Sequence, residues 1–202
     1  LLPETYSLPW KLEEKEVIRR QVDQLKHVYN NSLQARAKEI GWTTHQVLTL
    51  SSIVEGEAVL ASERPIISGV YHNRLRKGMR LEADPTVQFL IEDGPRRVRY
   101  SDLRRDNPYN TYVHSGLPPG PINNPGKASI LAALYPAAHD YLYFVANGTG
   151  GHWFSATYAD HTRFVRRYRK SRSQSHVSSL SQINSQKGFT VNPGGGASGG
   201  HR

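Results

Sequence analysis

Apolar residues recur at three- and four-residue spacing through residues 11–40. Ile18, Val22, Leu25, Tyr29 and Leu33 fall on one stripe while charges fill the other face, which predicts one long amphipathic helix. Gly41 is its natural stop. The preceding LLPETYSLPW, with two prolines and no periodicity, reads as an extended lead-in. Thr43 followed by Gln46 is a capping-box pattern. The helix it opens is expected to run to about Leu60, burying Val47, Leu48, Leu50, Ile53, Val54 and Ala58. Ser62 is the expected cap of a further helix ending at Gly78, with Ile66, Ile67, Val70, Tyr71 and Leu75 inside.

The pattern then loosens. Pro85 disfavours helical geometry at Asp84, so Asp84 is the expected cap of a short helix reaching about Ile91. A charged loop follows. Residues 107–126 hold five prolines and three glycines, too many for a helix or central strand. A loop of that length carrying Tyr109, Tyr112 and His114 is expected to be ordered and functional. Asn124 and Pro125 suggest a helix start running to Leu134. YLYFVA at 141–146 and HWFSA at 152–156 read as a hairpin across the NGTGG turn. Thr157 and Asp160 cap a last helix to about Lys170, and the Ser-, Gln- and Gly-rich residues 171–202 are expected to be a disordered basic tail. The fold class is α+β: a helical core over residues 1–170, a small antiparallel sheet and a long ordered Pro/Gly-rich loop.

The net charge of +9 changes little. Eight cations and no acid follow Asp160, which leaves +1 for residues 1–160, so the excess belongs to the last helix and tail. No nucleic-acid partner is expected from a nearly neutral body. The absence of cysteine removes disulfides, thiolate metal sites and a cysteine nucleophile. No stretch approaches the roughly 20 apolar residues of a membrane span. LLPETYSLPW lacks the basic start and apolar run of a signal peptide.

Metal-ligand spacing, a phosphate-binding glycine loop and a serine-hydrolase elbow are all missing, so no cofactor and no metal are expected. What remains is carboxylates plus a polar aromatic loop, a combination that suits carbohydrate. Glycosidic cleavage needs a carboxylic acid that still holds its proton near neutrality, and an apolar setting supplies that. Glu55 and Glu57 lie in an otherwise apolar, small-residue run, on opposite flanks of the helix's buried surface. Periodicity does not say which faces a cleft. Glu55, preceded by Ser51, Ser52, Ile53 and Val54, is the expected acid; the competing reading is a helix-flank glutamate paired with an arginine.

The strings SSIVEGEA, ERPIISGVYHNRLRKGMRLEADPTVQF, DNPYNTYVHSGLPPGPINNPGKASILAALYPA and DYLYFVANGTGGHWFSAT, collinear from about Leu50 to Ala156, resemble the YceG-like (MltG) family of endolytic murein transglycosylases. The resemblance puts the catalytic glutamate at Glu55 and gives Glu57 a supporting, substrate-side role. Gly56 stands where the family has lysine, and Ala58 where it has threonine. From residue type and the matched strings, Asn73, Asp84, Tyr109, Asn110, Thr111, Tyr112 and His152 join Glu57 as expected cleft residues.

The resemblance implies nonhydrolytic cleavage of peptidoglycan glycan strands between N-acetylmuramic acid and N-acetylglucosamine, leaving 1,6-anhydro ends. One glutamate would act as acid and then base. A hydrolytic muramidase and a noncatalytic wall-binding module are the alternatives. The family also implies a catalytic part on the outer face of the cytoplasmic membrane, tethered by one N-terminal span that does not lie in these residues. A peptidoglycan synthase is the implied protein partner.

Overall fold

The computed structural model describes residues 1–94 and 96–187, with side chains to Ser173. Among the described residues seven α-helices and one hairpin follow in the order α1 (Glu14–Val28), α2 (Asn31–Glu39), α3 (Thr44–Glu57), α4 (Arg64–Arg76), α5 (Asp84–Gln88), α6 (Lys127–Leu134), β1 (Tyr143–Ala146), β2 (His152–Ser155) and α7 (Tyr158–Lys187). The architecture is α+β, as expected.

The single helix predicted over residues 11–40 is two. Asn30 adopts extended backbone and its side chain accepts a hydrogen bond from Leu33 N at 3.2 Å, so it caps α2 and breaks the run. The Thr43–Gln46 capping box forms as predicted, and so does the Thr157–Asp160 cap. Three other expected caps do not form. Ser62 lies inside a 3-10 turn, Ala61–Glu63, that leads into α4. Asp84 is the first residue of α5 and its carboxylate goes to Tyr112. Asn124 is replaced by Gly126, whose lack of a side-chain cap is made good from α3. The last helix runs past Lys170 to Lys187, through residues 171–187 that were expected to be disordered; residues 188–202 of that tail lie outside the described residues.

Helix α3 is the centre of the core. Val47, Leu50, Ile53 and Val54 are fully buried against Ile67 and Tyr71 of α4, Ile130, Ala133 and Leu134 of α6, and Leu33 and Ala37 of α2. Its buried Ser51 and Ser52 return their hydroxyls to Val47 O and Thr49 O, so small polar residues pack without orphaned atoms. The proline-rich loop lies across this helix: Ile122 N donates to Ser52 Oγ at 3.0 Å and Asn123 Nδ2 to Ser52 O at 2.8 Å. The hairpin pairs antiparallel with Tyr143 opposite Ser155 and Ala146 opposite His152. Helix α7 covers one of its faces, stacking Phe164 on Trp153 and His161 on Tyr143.

Helix α4 ends where Gly78 takes a left-handed φ of 64° and Met79 N reaches back to Arg74 O. Midway along it, the segment after α6 crosses almost in contact. Ala137 N donates to Pro65 O and His139 Nε2 meets Ile66 O, both at 2.9 Å. A Cβ on Gly69 would sit 2.5 Å from His139 Nε2 and 2.6 Å from Ala137 O. The Gly69→Ala variant is therefore expected to lose about 1–3 kcal/mol to overpacking, more than the ~1 kcal/mol that alanine returns in helix propensity. Urea unfolding measures this, and a variant as stable as the parent would show that the crossing is loose.

Candidate active site

The two glutamates near the C-terminus of α3 meet different surroundings. Glu55 turns toward the start of α6. Its Oε2 accepts from Gly126 N at 3.1 Å and from Ser129 Oγ at 2.6 Å, while Arg64 Nη2 lies 3.8 Å from Oε1. Arg64 Nε also donates to Ser129 Oγ at 3.2 Å. Glu55 thus caps α6 from a neighbouring helix, with its anion at the helix's positive end. The arginine that the competing sequence reading expects beside this glutamate is Arg64.

Glu57, two residues on, faces the other way and has Asp84 for a neighbour. Loss of surrounding water, and secondly the charge of Asp84, push its carboxyl pKa up to about 8. Two hollows run up to it. One, of about 590 Å³, is lined by Glu57, Asp84, Phe89, Arg97 and Asn123 among others. The other, of about 570 Å³, is lined by Glu57, Arg74, Asp84, Tyr112, Phe144 and His152 among others. Glu57 and Asp84 line both, so this pair of carboxyl groups lies where the two hollows meet the end of α3 and forms one candidate groove with them. Gly56 lies in its wall against Pro85, where a Cβ would come within 2.8 Å of the proline Cβ.

Tyr112 donates to Asp84 Oδ1 at 2.6 Å, and burial with that bond holds the phenol proton on far above its ordinary range. Fully buried Tyr71 of α4 has a hydroxyl with no hydrogen-bond partner among the described residues. Burial first, then the charge of Glu57, keeps it protonated. Arg74 is a clamp: it donates to Leu142 O at 2.6 Å, Arg80 O at 3.0 Å, Leu81 O at 2.9 Å and Glu82 Oε2 at 3.1 Å. Glu82 carries a left-handed φ of 51°, uncommon for a residue with a side chain, and its N–H bonds Thr111 O at 3.1 Å.

Of the residues expected in a cleft, Glu57, Asp84, Tyr112 and His152 do share this groove. Asn110 and Thr111 are buried beneath it. Asn110 Nδ2 donates to Arg105 O at 2.8 Å and its Oδ1 accepts from Tyr112 N at 3.0 Å. Thr111 Oγ1 accepts from Ala83 N at 3.0 Å and bonds Thr86 Oγ1 at 2.9 Å. These two hold the loop that presents Tyr112. Tyr109 packs against Phe89, ring centroids 5.0 Å apart. Asn73 ties His139 O and Tyr141 O to α4 at 2.8 and 2.9 Å and lines a different hollow of about 730 Å³ with Trp42, His72 and Arg76. Sequence reasoning missed Glu63, which binds His152, and Arg97 in the groove wall. Nothing in a lone helix-start glutamate or a cationic loop marks either.

Removing the Thr111 hydroxyl by Thr111→Val is expected to cost about 1–3 kcal/mol, because Ala83 N–H stays buried without its acceptor. Thermal unfolding measures this, and no change in stability would dismiss the frame. For Glu57 the sign follows from its raised pKa. Below about pH 4.5 the carboxyl is protonated in folded and unfolded chains alike. Between there and about pH 8 only the folded chain keeps the proton, so its stability falls as pH rises. Glu57→Gln removes that dependence. Its stability advantage over the parent is expected to open across this window and level off above it, as read by urea unfolding at stepped pH. A pH-independent difference would mean an ordinary carboxylate.

Comparisons with known proteins identify the family. A model of the YceG-like family matches residues 1–167. The protein named endolytic murein transglycosylase in Bacillus subtilis (strain 168) is 40% identical over 146 residues, covering 72% of this chain and 41% of that protein. The protein of the same name in Streptococcus pneumoniae (strain D39) is 29% identical over 174 residues, covering 82% of this chain and 31% of that protein. The chain therefore spans less than half the length of these relatives. The crystal structure of a yceG-like protein from Listeria monocytogenes superposes with a TM-score of 0.74 at 39% identity, covering 81% of this chain and 53% of that one. With a family match across most of the chain and a shared fold beneath it, this chain belongs to the YceG-like family.

Proposed function

We propose that this chain is the glycan-cleaving part of a lytic transglycosylase acting within peptidoglycan strands, and that Glu57, rather than Glu55, is its acid and base. One observation carries the choice: Glu57 keeps its proton to about pH 8 at the junction of two hollows, whereas the Glu55 carboxylate is engaged by Gly126 and Ser129. The substrate class rests on the murein transglycosylase relatives.

In this mechanism Glu57 protonates the oxygen between N-acetylmuramic acid and N-acetylglucosamine, and the bond from that oxygen to the muramyl C1 breaks. The new Glu57 carboxylate and the Asp84 carboxylate then face the positive charge at C1. Burial and repulsion from Asp84, which kept the proton on Glu57, now make it an avid base. It takes the proton of the muramyl C6 hydroxyl as O6 bonds to C1, closing the 1,6-anhydro ring and restoring the acid without water. Tyr112, protonated and bonded to Asp84, keeps that second carboxyl in place. A groove continuing on both sides of the acid suits the interior of a polymer better than its end.

Asp84 also favours a second reading. It offers the partner carboxyl that hydrolysis requires, so a muramidase using water is chemically available. The product distinguishes the two, since hydrolysis leaves a reducing end heavier by one water, about 18 Da. Among the described residues no helix is long and apolar enough to cross a membrane. Because the substrate lies outside the cytoplasmic membrane, we place this part on the outer face, tethered by an N-terminal span outside these residues, with a peptidoglycan synthase as neighbour.

Purified glycan strands incubated with parent, Glu57→Gln and Glu55→Gln test the reading by mass spectrometry of strand ends. The parent is expected to release anhydro ends. Glu57→Gln should lose about 10²- to 10⁴-fold, the worth of a general acid–base. Glu55→Gln keeps an acceptor oxygen for Gly126 and should retain most activity. The reverse ranking would return the acid to Glu55, and reducing ends would establish hydrolysis.

A further inference from the structure

The groove holds a histidine whose second ring nitrogen makes no hydrogen bond among the described residues. His152 opens β2 and is held twice by one carboxylate. Its backbone N–H donates to Glu63 Oε1 at 2.8 Å and its ring Nδ1 meets Glu63 Oε2 at 2.7 Å, with both side chains only 12% exposed. The backbone is shaped for this approach: a Cβ on Gly151 would lie 2.7 Å from Glu63 Oε1 and 3.0 Å from Leu60 Cδ1. Asn147 Oδ1 fastens the same turn by accepting from Gly151 N at 3.2 Å and Thr149 N at 2.8 Å. The ring is set edge to face against Phe144, centroids 5.2 Å apart, which limits its rotation.

A carboxylate only accepts hydrogen bonds, so Nδ1 must carry the proton it shares with Glu63. In the neutral ring Nε2 is then a lone-pair acceptor, and it makes no hydrogen bond among the described residues. Two polar neighbours in the same hollow are already committed elsewhere. Tyr112 donates to Asp84, and Arg74 donates to Glu82 and main-chain oxygens. A fixed acceptor on an apolar-backed ring in a groove matches a ligand that brings a hydroxyl and a carbon face, as a pyranose does. Resting on the glycan-cleaving reading above, we infer that His152 accepts a hydrogen bond at Nε2 from a sugar hydroxyl of the bound strand. Glu63 is its positioning residue, setting the tautomer that makes Nε2 an acceptor.

Glu63→Gln separates this role from simple support. The amide oxygen still takes the His152 backbone N–H, but the amide nitrogen donates to Nδ1 and moves the ring proton to Nε2, turning acceptor into donor. Long-range ¹H–¹⁵N correlation at pH 8 is expected to report Nδ1–H in the parent and Nε2–H in the variant, with kcat/KM on purified strands falling at least tenfold, mainly through KM. A parent ring with Nε2–H, or a flipped variant within twofold of the parent, would overturn the inference.

A binding measurement covers the case in which Glu63→Gln does not fold. Purified strands added to the cleavage-deficient Glu57→Gln protein should move the His152 Nε2 resonance, and His152→Phe in that background should weaken strand binding about tenfold. Strands that bind without moving Nε2, or bind equally well to the phenylalanine variant, defeat this inference alone. Strands that fail to bind the groove at all defeat the proposed function together with it.

Discussion

A carboxyl group drawn out of water must find hydrogen-bond donors or keep its proton, and helix α3 ends with one of each. Glu55 finds donors, and in doing so supplies the cap that α6 lacks. Glu57 finds no such set among the described residues and keeps its proton. The two residues are a turn's fraction apart, so one helix register decides both outcomes. Rotating α3 would strip α6 of its anchor and move the acid away from the groove in a single step. That register is fixed by Val47, Leu50, Ile53 and Val54, which leave no room for another.

The groove is made where three connections meet that helix. The stretch from Leu81 to Asp84 is gripped from one side by Arg74 and from the other by Thr111. The proline-rich loop, laid along Ser52, supplies Tyr112 at one end and Asn123 at the other. The hairpin closes the remaining side with Phe144 and His152. The hairpin is regular, but the stretch from Leu81 to Ala83 and the proline-rich loop are not; each of these is bound by main-chain acceptors or donors at several points, which is how irregular backbone can hold a precise shape.

Much of this was legible in the chain. Strict apolar spacing gave α3 and α4, aromatic and β-branched runs gave the hairpin, and the motif strings singled out the two glutamates at the end of α3. The choice within the pair was not legible, because residues two apart on a helix face opposite ways and only the packed neighbours tell which way the cleft lies. Caps failed for a related reason. Asp84 and Asn124 have the right chemistry for a cap, but long-range partners made better use of the same positions: Tyr112 took Asp84, and Glu55 did the work expected of Asn124. Asn110 and Thr111 looked like sugar contacts since amides and hydroxyls serve both purposes. Their burial assigns them to the frame.

That frame has a consequence of its own. Asn110, Thr111 and Thr86 hold the segment beneath Asp84 and Tyr112 through amide and hydroxyl groups, none of which gains or loses a proton in ordinary surroundings. In the proposed mechanism Glu57 gives up and regains its proton in every cycle, and that fluctuation would fall on a support with no titrating atom to answer it. The cradle is thus electrically deaf: it carries no charge of its own with which to answer a change on the carboxyl group above it.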